Sequence, residues 1–190
     1  MFTFNAEAAQ RADRGGFITT GGVYRGQLKS CKVFSKDSGS KGIEFSFEDN
    51  DGATVNYLQI YTTGKDGQPL FGKDKISALL GLFSMQSVNV SGCASEGFTI
   101  PALCDKNIAI QIQREEYYKN DGDVGYKFNL LSFLDHGTLK TYNEKINNLA
   151  ASVAERKIKD KLVSPKQDGG VNNRQDANDK APFPEDDLPF

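Results

Sequence analysis

The sequence contains no tryptophan, one histidine and three cysteines among its 190 residues. A histidine-based catalytic triad would have to use His136, which lies in a turn-like Asp-His-Gly sequence. Cys31, Cys93 and Cys104 are odd in number and widely spaced, which argues against a disulfide framework. The Gly-x-Ser-x-Gly and phosphate-loop motifs are also missing. We therefore predict a protein that is not an enzyme and uses no cofactor.

Long apolar runs are missing as well. No run approaches the roughly 20 residues needed to cross a bilayer. Residues 1–16 contain Glu7 and Asp13 where an export signal needs a basic region followed by an apolar one. The cysteine pattern suits a reducing compartment. We predict a cytoplasmic protein that makes no membrane contact.

Charge is distributed unevenly along the chain. The formal net charge is −2, yet residues 1–163 hold 20 basic and 19 acidic side chains, while residues 164–190 hold 3 and 6. The segment 23–41 contains Arg25 and four lysines against one acid, Asp37. Such a basic segment favours contact with a polyanion, and an ordinary solvated strand face is the alternative. Residues 164–190 are rich in Pro, Gly, Asn, Gln and Asp, which predicts a disordered acidic tail.

The first part of the chain alternates between apolar and polar residues with turn sequences at 37–40 and 50–52. This pattern predicts strands over 22–36, 42–48 and 54–62. In the third strand, alternation places Leu58 and Ile60 on one face and Val55, Tyr57 and Tyr61 on the other. Gly26 is expected to bend the first strand or to admit a close backbone approach.

The period changes after the third strand. Residues 73–84 have apolar positions at helical spacing, and 107–119 alternates before a turn at 120–122 and a return strand, which predicts a helix and then a hairpin. Residues 85–106 show no clear period. Thr141 and Glu144 have capping-box spacing, which predicts a second helix that runs to about Lys161.

Three strands, a helix and two strands match the order of the oligonucleotide-binding (OB) barrel. We predict an all-β fold with a five-stranded OB barrel, one helix between strands three and four, a C-terminal helix and a disordered acidic tail. The expected boundaries are an N-terminal arm at 1–16, the barrel at 17–137, the helix at 138–163 and the tail at 164–190. A five-stranded mixed sandwich is the alternative.

Two kinds of metal site are weighed as alternatives to a metal-free protein. A zinc site would use three cysteines and the histidine, but none of these residues forms a pair two to four positions apart. A metal-dependent nuclease would use adjacent carboxylates near the last turn. The residues concerned are Cys31, Cys93, Cys104 and His136 for zinc, and Glu115, Glu116, Asp121 and Asp123 for the nuclease.

Aromatic residues alternate with basic ones on several predicted strands. Unpaired nucleic acid is held by cationic groups along its phosphates and by flat rings on which bases stack. The predicted phosphate contacts are Lys29, Lys32, Lys36, Lys41, Arg114, Lys119 and Lys127. The predicted stacking residues are Phe34, Tyr57, Tyr61, Tyr117 and Tyr126. The alternative is that these tyrosines cover the barrel ends with their hydroxyls in water.

The chain ends in three carboxylates followed by an apolar terminus, Glu185, Asp186, Asp187, Leu188, Pro189 and Phe190. This tip resembles the Asp-Asp-Ile-Pro-Phe terminus of bacterial single-stranded DNA-binding proteins, with Leu188 in place of Ile. The rest of the chain is more similar to the divergent single-stranded DNA-binding proteins of bacteriophages. The resemblance implies that these six residues recruit replication, recombination and repair enzymes, and that the protein acts in a bacterial host's cytoplasm.

Together these patterns predict a protein that coats single-stranded DNA without sequence preference and recruits partners through its tail. Self-association is a further expectation. An OB-fold protein-interaction adaptor of a replication complex is the second hypothesis, and a metal-dependent nuclease the third.

Overall fold

The computed structural model describes residues 16–93 and 97–163. The strands of this part are β1 (Gly16–Phe17), β2 (Gly22–Ser35), β3 (Lys41–Asp49), β4 (Ala53–Thr63), β5 (Ser91–Cys93), β6 (Gly97–Thr99), β7 (Asn107–Tyr118) and β8 (Val124–Leu134). Its helices are α1 (Gly72–Leu82), α2 (Tyr142–Ile146) and α3 (Ser152–Glu155), with one 3-10 turn at Pro101–Leu103. The predicted all-β class is confirmed.

The strands form one sheet around a single apolar core. β2 pairs antiparallel with β3 along one edge, and β4 and β1 follow β3 in that direction. Along its other edge, β2 pairs first with β7 and then with the β5–β6 hairpin, and β8 pairs with β7. The core side chains are those that alternation places on one face, such as Leu28, Phe45, Leu58 and Ile110.

The sheet is not closed into a barrel. Among the described residues, β8 forms a ladder with β7 alone, and no ladder joins it to β4 or β1. Helix α1 packs against both β4 and β8. The other ends of these two strands line an open groove, with Thr54 to Tyr57 on one side and Tyr126 to Phe128 on the other. The predicted closure is therefore not found among the described residues, since a groove lies where a β4–β8 ladder would close the sheet.

The predicted strands and the first helix lie close to the observed ones, but the faces of β4 do not follow simple alternation. Val55 and Leu58 are both buried, although they are three positions apart. The β3–β4 register shifts between Phe45 and Phe47, and Tyr57 has a positive φ of 61°. This bulge inserts one residue and resets the alternation. The predicted exposure of Val55 is therefore wrong, whereas Tyr57 points outward as expected.

Gly26 lies where the backbone of β3 passes close to β2. A Cβ atom at this position would stand 2.0 Å from the carbonyl oxygen of Glu48. Only a residue without a side chain fits there, because the nearby atoms belong to the backbone. The expected close approach at Gly26 is confirmed.

The C-terminal segment differs from the predicted single helix over 138–163. The capping box of Thr141 and Glu144 forms and begins α2, but this helix ends at Ile146. Asn148 has a positive φ of 51°, which breaks the helix, and α3 is a separate turn. The helix prediction is wrong beyond α2, because tertiary hydrogen bonds hold the following residues in another path.

The end of the described chain covers a free edge of β7. The Lys161 amide donates to the Arg114 carbonyl at 2.9 Å, and the Glu116 amide donates to the Lys161 carbonyl at 2.8 Å. Strand β7 continues there beyond its pairing with β2, so its backbone groups would otherwise lack protein partners. Asp160 adds a 3.1 Å bond from the Arg114 amide. The chain therefore leaves the described region beside β7.

Several predictions lie at the margins of the structure. Gly16 belongs to β1, and the rest of the arm at 1–16 lies outside the described residues, as does the whole tail at 164–190. Strands β5 and β6 come from the stretch 85–106 that showed no clear period. Within 16–93 and 97–163, no helix has the length and apolar character needed to cross a membrane.

Candidate nucleic-acid interface

The open seam between β4 and β8 forms a groove of about 390 Å³ lined largely by aromatic side chains, here called the seam groove. Phe17 and Tyr57 stand on one side of it, and Tyr117, Tyr126 and Phe128 on the other. Phe17 and Tyr57 are 72% and 77% exposed, so their ring faces are accessible to a ligand. The groove therefore offers flat apolar surfaces on both walls.

The β7–β8 hairpin holds Tyr126 in a defined orientation. The Tyr126 ring packs edge-on against Phe128 with centroids 5.7 Å apart. The Arg114 guanidinium also packs on the Tyr126 ring, 4.6 Å from the ring centroid. Arg114 donates to Glu116 at 2.8 Å and to the Thr19 carbonyl at 3.4 Å. The charge of Arg114 is thus partly satisfied within the protein, and its plane supports the tyrosine.

Tyr57 stands where the seam groove meets a second hollow. This hollow, the middle depression, has a volume of about 290 Å³ and is lined by Ser30, Lys32, Glu44, Phe45, Ser46, Asn56 and Tyr57. Tyr57 lines both cavities, because the bulge in β4 turns its side chain away from the core. Lys32 therefore lies in the depression next to the seam groove, with Tyr57 between the two.

A second aromatic cluster lies farther along β2 and β4. The rings of Phe34 and Tyr61 meet edge-on with centroids 5.2 Å apart. Lys36 places its ammonium group 4.8 Å from the Tyr61 centroid and donates a hydrogen bond to the Tyr61 hydroxyl. Gly42 makes this packing possible, because a Cβ atom there would stand 2.6 Å from the Phe34 ring. The predicted contacts Lys32 and Phe34 lie on the side of β2 opposite the buried Cys31, and Lys36 follows at the same spacing; we call this side of the sheet the outer face.

Polar side chains join this cluster to the middle depression. The Tyr61 hydroxyl donates to Gln59 at 3.3 Å, and Gln59 donates to Glu44 at 2.8 Å. Glu44 stands opposite Lys32 in the β2–β3 register and lines the same depression. The outer face thus presents aromatic groups, lysines and hydrogen-bonding side chains from the seam groove to Lys36.

The other predicted lysines lie at strand ends or within strands, and not all of them reach the two hollows. Lys41 begins β3 opposite Ser35, and Lys119 follows β7 at the hairpin turn. Lys127 lines the seam groove and pairs with Glu115 at 3.2 Å. Lys29 pairs with Asp105 at 3.0 Å and lines neither the seam groove nor the middle depression.

Glu115 remains an anion beside the seam groove. A 2.6 Å hydrogen bond from Asn129, together with contacts to Lys161 and Lys127 at 3.2 Å each, lowers the pKa of Glu115 to about 2. Lys127 is largely exposed, so solvent screens its ion pair with Glu115 and the pair stabilises the fold little. A phosphate can therefore replace Glu115 as the partner of Lys127 at small cost.

The structure brings together most, but not all, of the predicted set. Residues that line the two hollows or the Phe34–Tyr61 cluster are Lys32, Phe34, Lys36, Tyr57, Tyr61, Tyr117, Tyr126 and Lys127. Sequence reasoning missed Phe17 and Phe128. β1 has only two residues, too few for a period to show, whereas Phe128 follows Tyr126 at the period-two spacing that could have identified it. The six residues of the predicted partner-binding tip, 185–190, lie outside the described residues.

Several of the groups considered for metal binding are buried or paired with basic side chains. Cys31 is buried in β2, where burial and the neighbouring Cys104 thiol raise its pKa. Glu115 and Glu116 bind Lys and Arg side chains, as described above. The described residues contain no cluster of three or more His, Cys, Asp or Glu side chains placed to hold a metal ion.

In comparisons with known proteins, no family model and no curated protein matches this chain.

Proposed function

We propose that the protein binds single-stranded DNA without sequence preference. The observation that supports this most strongly is the exposed row of aromatic rings on the outer face, with Phe17, Tyr57, Tyr117 and Tyr126 in and beside the seam groove. Stacking on such rings contributes roughly 1–3 kcal/mol per base and tolerates any base, because every base has a flat face. The neighbouring lysines supply the charge that phosphates require.

The strand order supports an OB-type arrangement. Strands β2, β3 and β4, helix α1, and strands β7 and β8 follow one another as the five strands and the helix of that fold do. The pairs β2–β3, β3–β4, β2–β7 and β7–β8 agree with this assignment. In our proposal, β1, β5 and β6 are additions, and the open β4–β8 seam forms part of the binding surface.

We assign roles according to position. In this proposal, bases stack on Phe34, Tyr57, Tyr61, Tyr117 and Tyr126, and also on Phe17. Phosphates contact Lys32, Lys36, Lys41, Lys119 and Lys127. Arg114 holds the Tyr126 ring, and its 2.8 Å bond to Glu116 favours this supporting role over direct phosphate contact. Lys29, paired with Asp105, has no assigned contact.

The biological role follows from the resemblance of the chain's end. Coating of single strands in replication, recombination and repair, with recruitment of enzymes by residues 185–190, is proposed on the acidic Asp-Asp-Leu-Pro-Phe terminus. The proposal also includes binding of replication and recombination proteins by the tail, and association of the protein with further copies of itself. No bond is made or broken by the protein in this role.

Titration with labelled oligo-dT and with duplex DNA of equal length tests the proposal. We expect oligo-dT to bind more tightly than duplex and to quench tyrosine fluorescence, because only unpaired bases expose faces for stacking. With five lysines on phosphates, log affinity should fall with log salt at a slope of about −3.5, since each contact on a single strand contributes about −0.7. Equal duplex affinity or a flat salt dependence would contradict the proposal, and absence of quenching would favour the adaptor hypothesis.

A further inference from the structure

Two adjoining cavities form a groove that shares no residue with the seam groove. The first has a volume of about 260 Å³ and lies between α1, β8 and α2, with Phe71, Phe133 and Tyr142 in its lining. The second, of about 390 Å³, lies between β7, β8 and the segment after α3. Leu131 and Ser132 line both cavities, so we treat them as one rear groove.

The two halves of the rear groove differ in chemistry. The α1 half is apolar, and Phe71 is 73% exposed there. Lys75 stands in this half and donates to the Leu130 carbonyl at 2.9 Å, which uses one of its three donors. The other half contains Arg156, Lys157 and Lys159, all exposed.

These basic residues are available for a ligand. Within 16–93 and 97–163, Arg156, Lys157 and Lys159 make no ion pair within 4.0 Å. Two nearby acids, Asp74 in the apolar half and Glu155 in α3, are exposed, so the basic side chains outnumber them. The rear groove thus suits a ligand with an apolar end and several negative charges.

The C-terminus of the chain has an acidic segment followed by an apolar end, which is the order in which the chain would meet the basic half and then the apolar half of the rear groove. Three acidic residues, 185–187, precede Leu188, Pro189 and Phe190. The chain leaves the described region just after Lys159 and Lys161, beside the basic half of the groove. From Val163 to residue 185 the chain can span up to roughly 70 Å, at about 3.3 Å per residue. Length therefore does not restrict the contact.

We propose that residues 185–190 dock in the rear groove of the same chain. The Phe190 ring fills the apolar half between Phe71 and Tyr142, and the terminal carboxylate meets the Lys75 ammonium group. The carboxylates of residues 185–187 lie over Arg156, Lys157 and Lys159. A docked tip is withheld from other proteins, whereas the seam groove stays open for its own ligand, because the two grooves share no lining residue.

Photo-crosslinking of the full-length protein tests this contact directly. Phe190 is replaced by p-benzoylphenylalanine, and the crosslinked peptides are mapped by mass spectrometry on an equal mixture of ¹⁴N- and ¹⁵N-labelled protein. We expect crosslinks within one chain to residues 71–78, 131–133 and 141–143. Crosslinks to Tyr57 or Tyr117, crosslinks between labelled and unlabelled chains, or scattered sites would each overturn the proposal.

Charge reversal in the basic half provides a second readout. Arg156→Glu with Lys157→Glu should lower the crosslink yield about threefold or more, because two attractions to the carboxylates of residues 185–187 are replaced by repulsions. Lys65→Glu with Lys106→Glu makes the same charge change at exposed positions outside the rear groove and should leave the yield unchanged. An equal yield in both variants would refute the docking. Oligo-dT affinity, measured in parallel, separates this failure from a failure of the proposed DNA binding.

Discussion

Replacing Tyr57 with glycine is expected to weaken oligo-dT binding by about 5- to 150-fold without lowering the stability of the fold. The loss corresponds to one stacked base, roughly 1–3 kcal/mol. Tyr57 has a φ of 61°, a conformation that costs a side-chain-bearing residue about 1–2 kcal/mol and costs glycine almost nothing. The free energy of unfolding should therefore remain equal or rise, apart from the greater backbone freedom of glycine in the unfolded chain.

Fluorescence anisotropy and urea unfolding measure the two quantities separately. Phe71→Ala is the matched control, since Phe71 is 73% exposed against 77% for Tyr57 but lines the rear groove instead. This control should bind oligo-dT as the unsubstituted protein does. If Tyr57→Gly retained full affinity, the Tyr57 ring would have no part in stacking. If its free energy of unfolding fell markedly, the Tyr57 side chain would stabilise the fold as well as bind a base.

Replacing Glu144 with glutamine is expected to lower the free energy of unfolding by about 1–3 kcal/mol. Both carboxylate oxygens of Glu144 accept hydrogen bonds, whereas the NH₂ group of glutamine cannot accept one, so buried donors on one side lose their acceptor. Glu144 is 4% exposed, and its carboxylate accepts from both the amide and the hydroxyl of Thr141, from the Ser152 hydroxyl and from the Val153 amide. It thereby joins α2 to α3. Urea unfolding measures the change, and Glu155→Gln on the exposed side of α3 is the control.

The same carboxylate makes stability depend on pH in a defined direction. Burial alone would raise the pKa of Glu144, but hydrogen bonds from Thr141, Ser152 and Val153 lower it to about 2, from an ordinary value of 4.5. The unfolded chain therefore takes up a proton first as pH falls. The stabilisation is complete above about pH 4.5 and is lost as pH falls toward 2. In Glu144→Gln this part of the acid dependence should disappear, and an unchanged acid profile would contradict the assignment.

Long elements could be predicted from the sequence because their patterns repeat over many residues. The alternation of β2, β3, β7 and β8 and the helical spacing of α1 each extend over at least nine residues. Strands β1, β5 and β6 have two or three residues, which is too few to show a period. The C-terminal path followed from tertiary contacts, since residues after α2 gain more from Glu144 and the edge of β7 than from continuing a helix.

Which candidate residues lie close together could be predicted only in part. Interleaved lysines and tyrosines identified the outer face, because both residue types recur at period two on strands that the turns delimit. Alternation places Arg114 and Glu116 on the same face of β7, where they pair, but it could not show that Lys29 pairs with Asp105, because that contact joins a strand to a distant turn. Likewise, Val55 and Tyr57 differ in burial because of a bulge in β4, and no residue in this part of the sequence indicates a bulge.

The missing ladder between β4 and β8 bears on which bases such a surface can accept. Backbone hydrogen bonds would hold two strands about 4.8 Å apart. No ladder holds these walls together within the described residues, so in the proposed function a change in their separation to fit a purine or a pyrimidine would break no peptide hydrogen bond between β4 and β8. In the proposed function, indifference to base identity would then follow from this open seam.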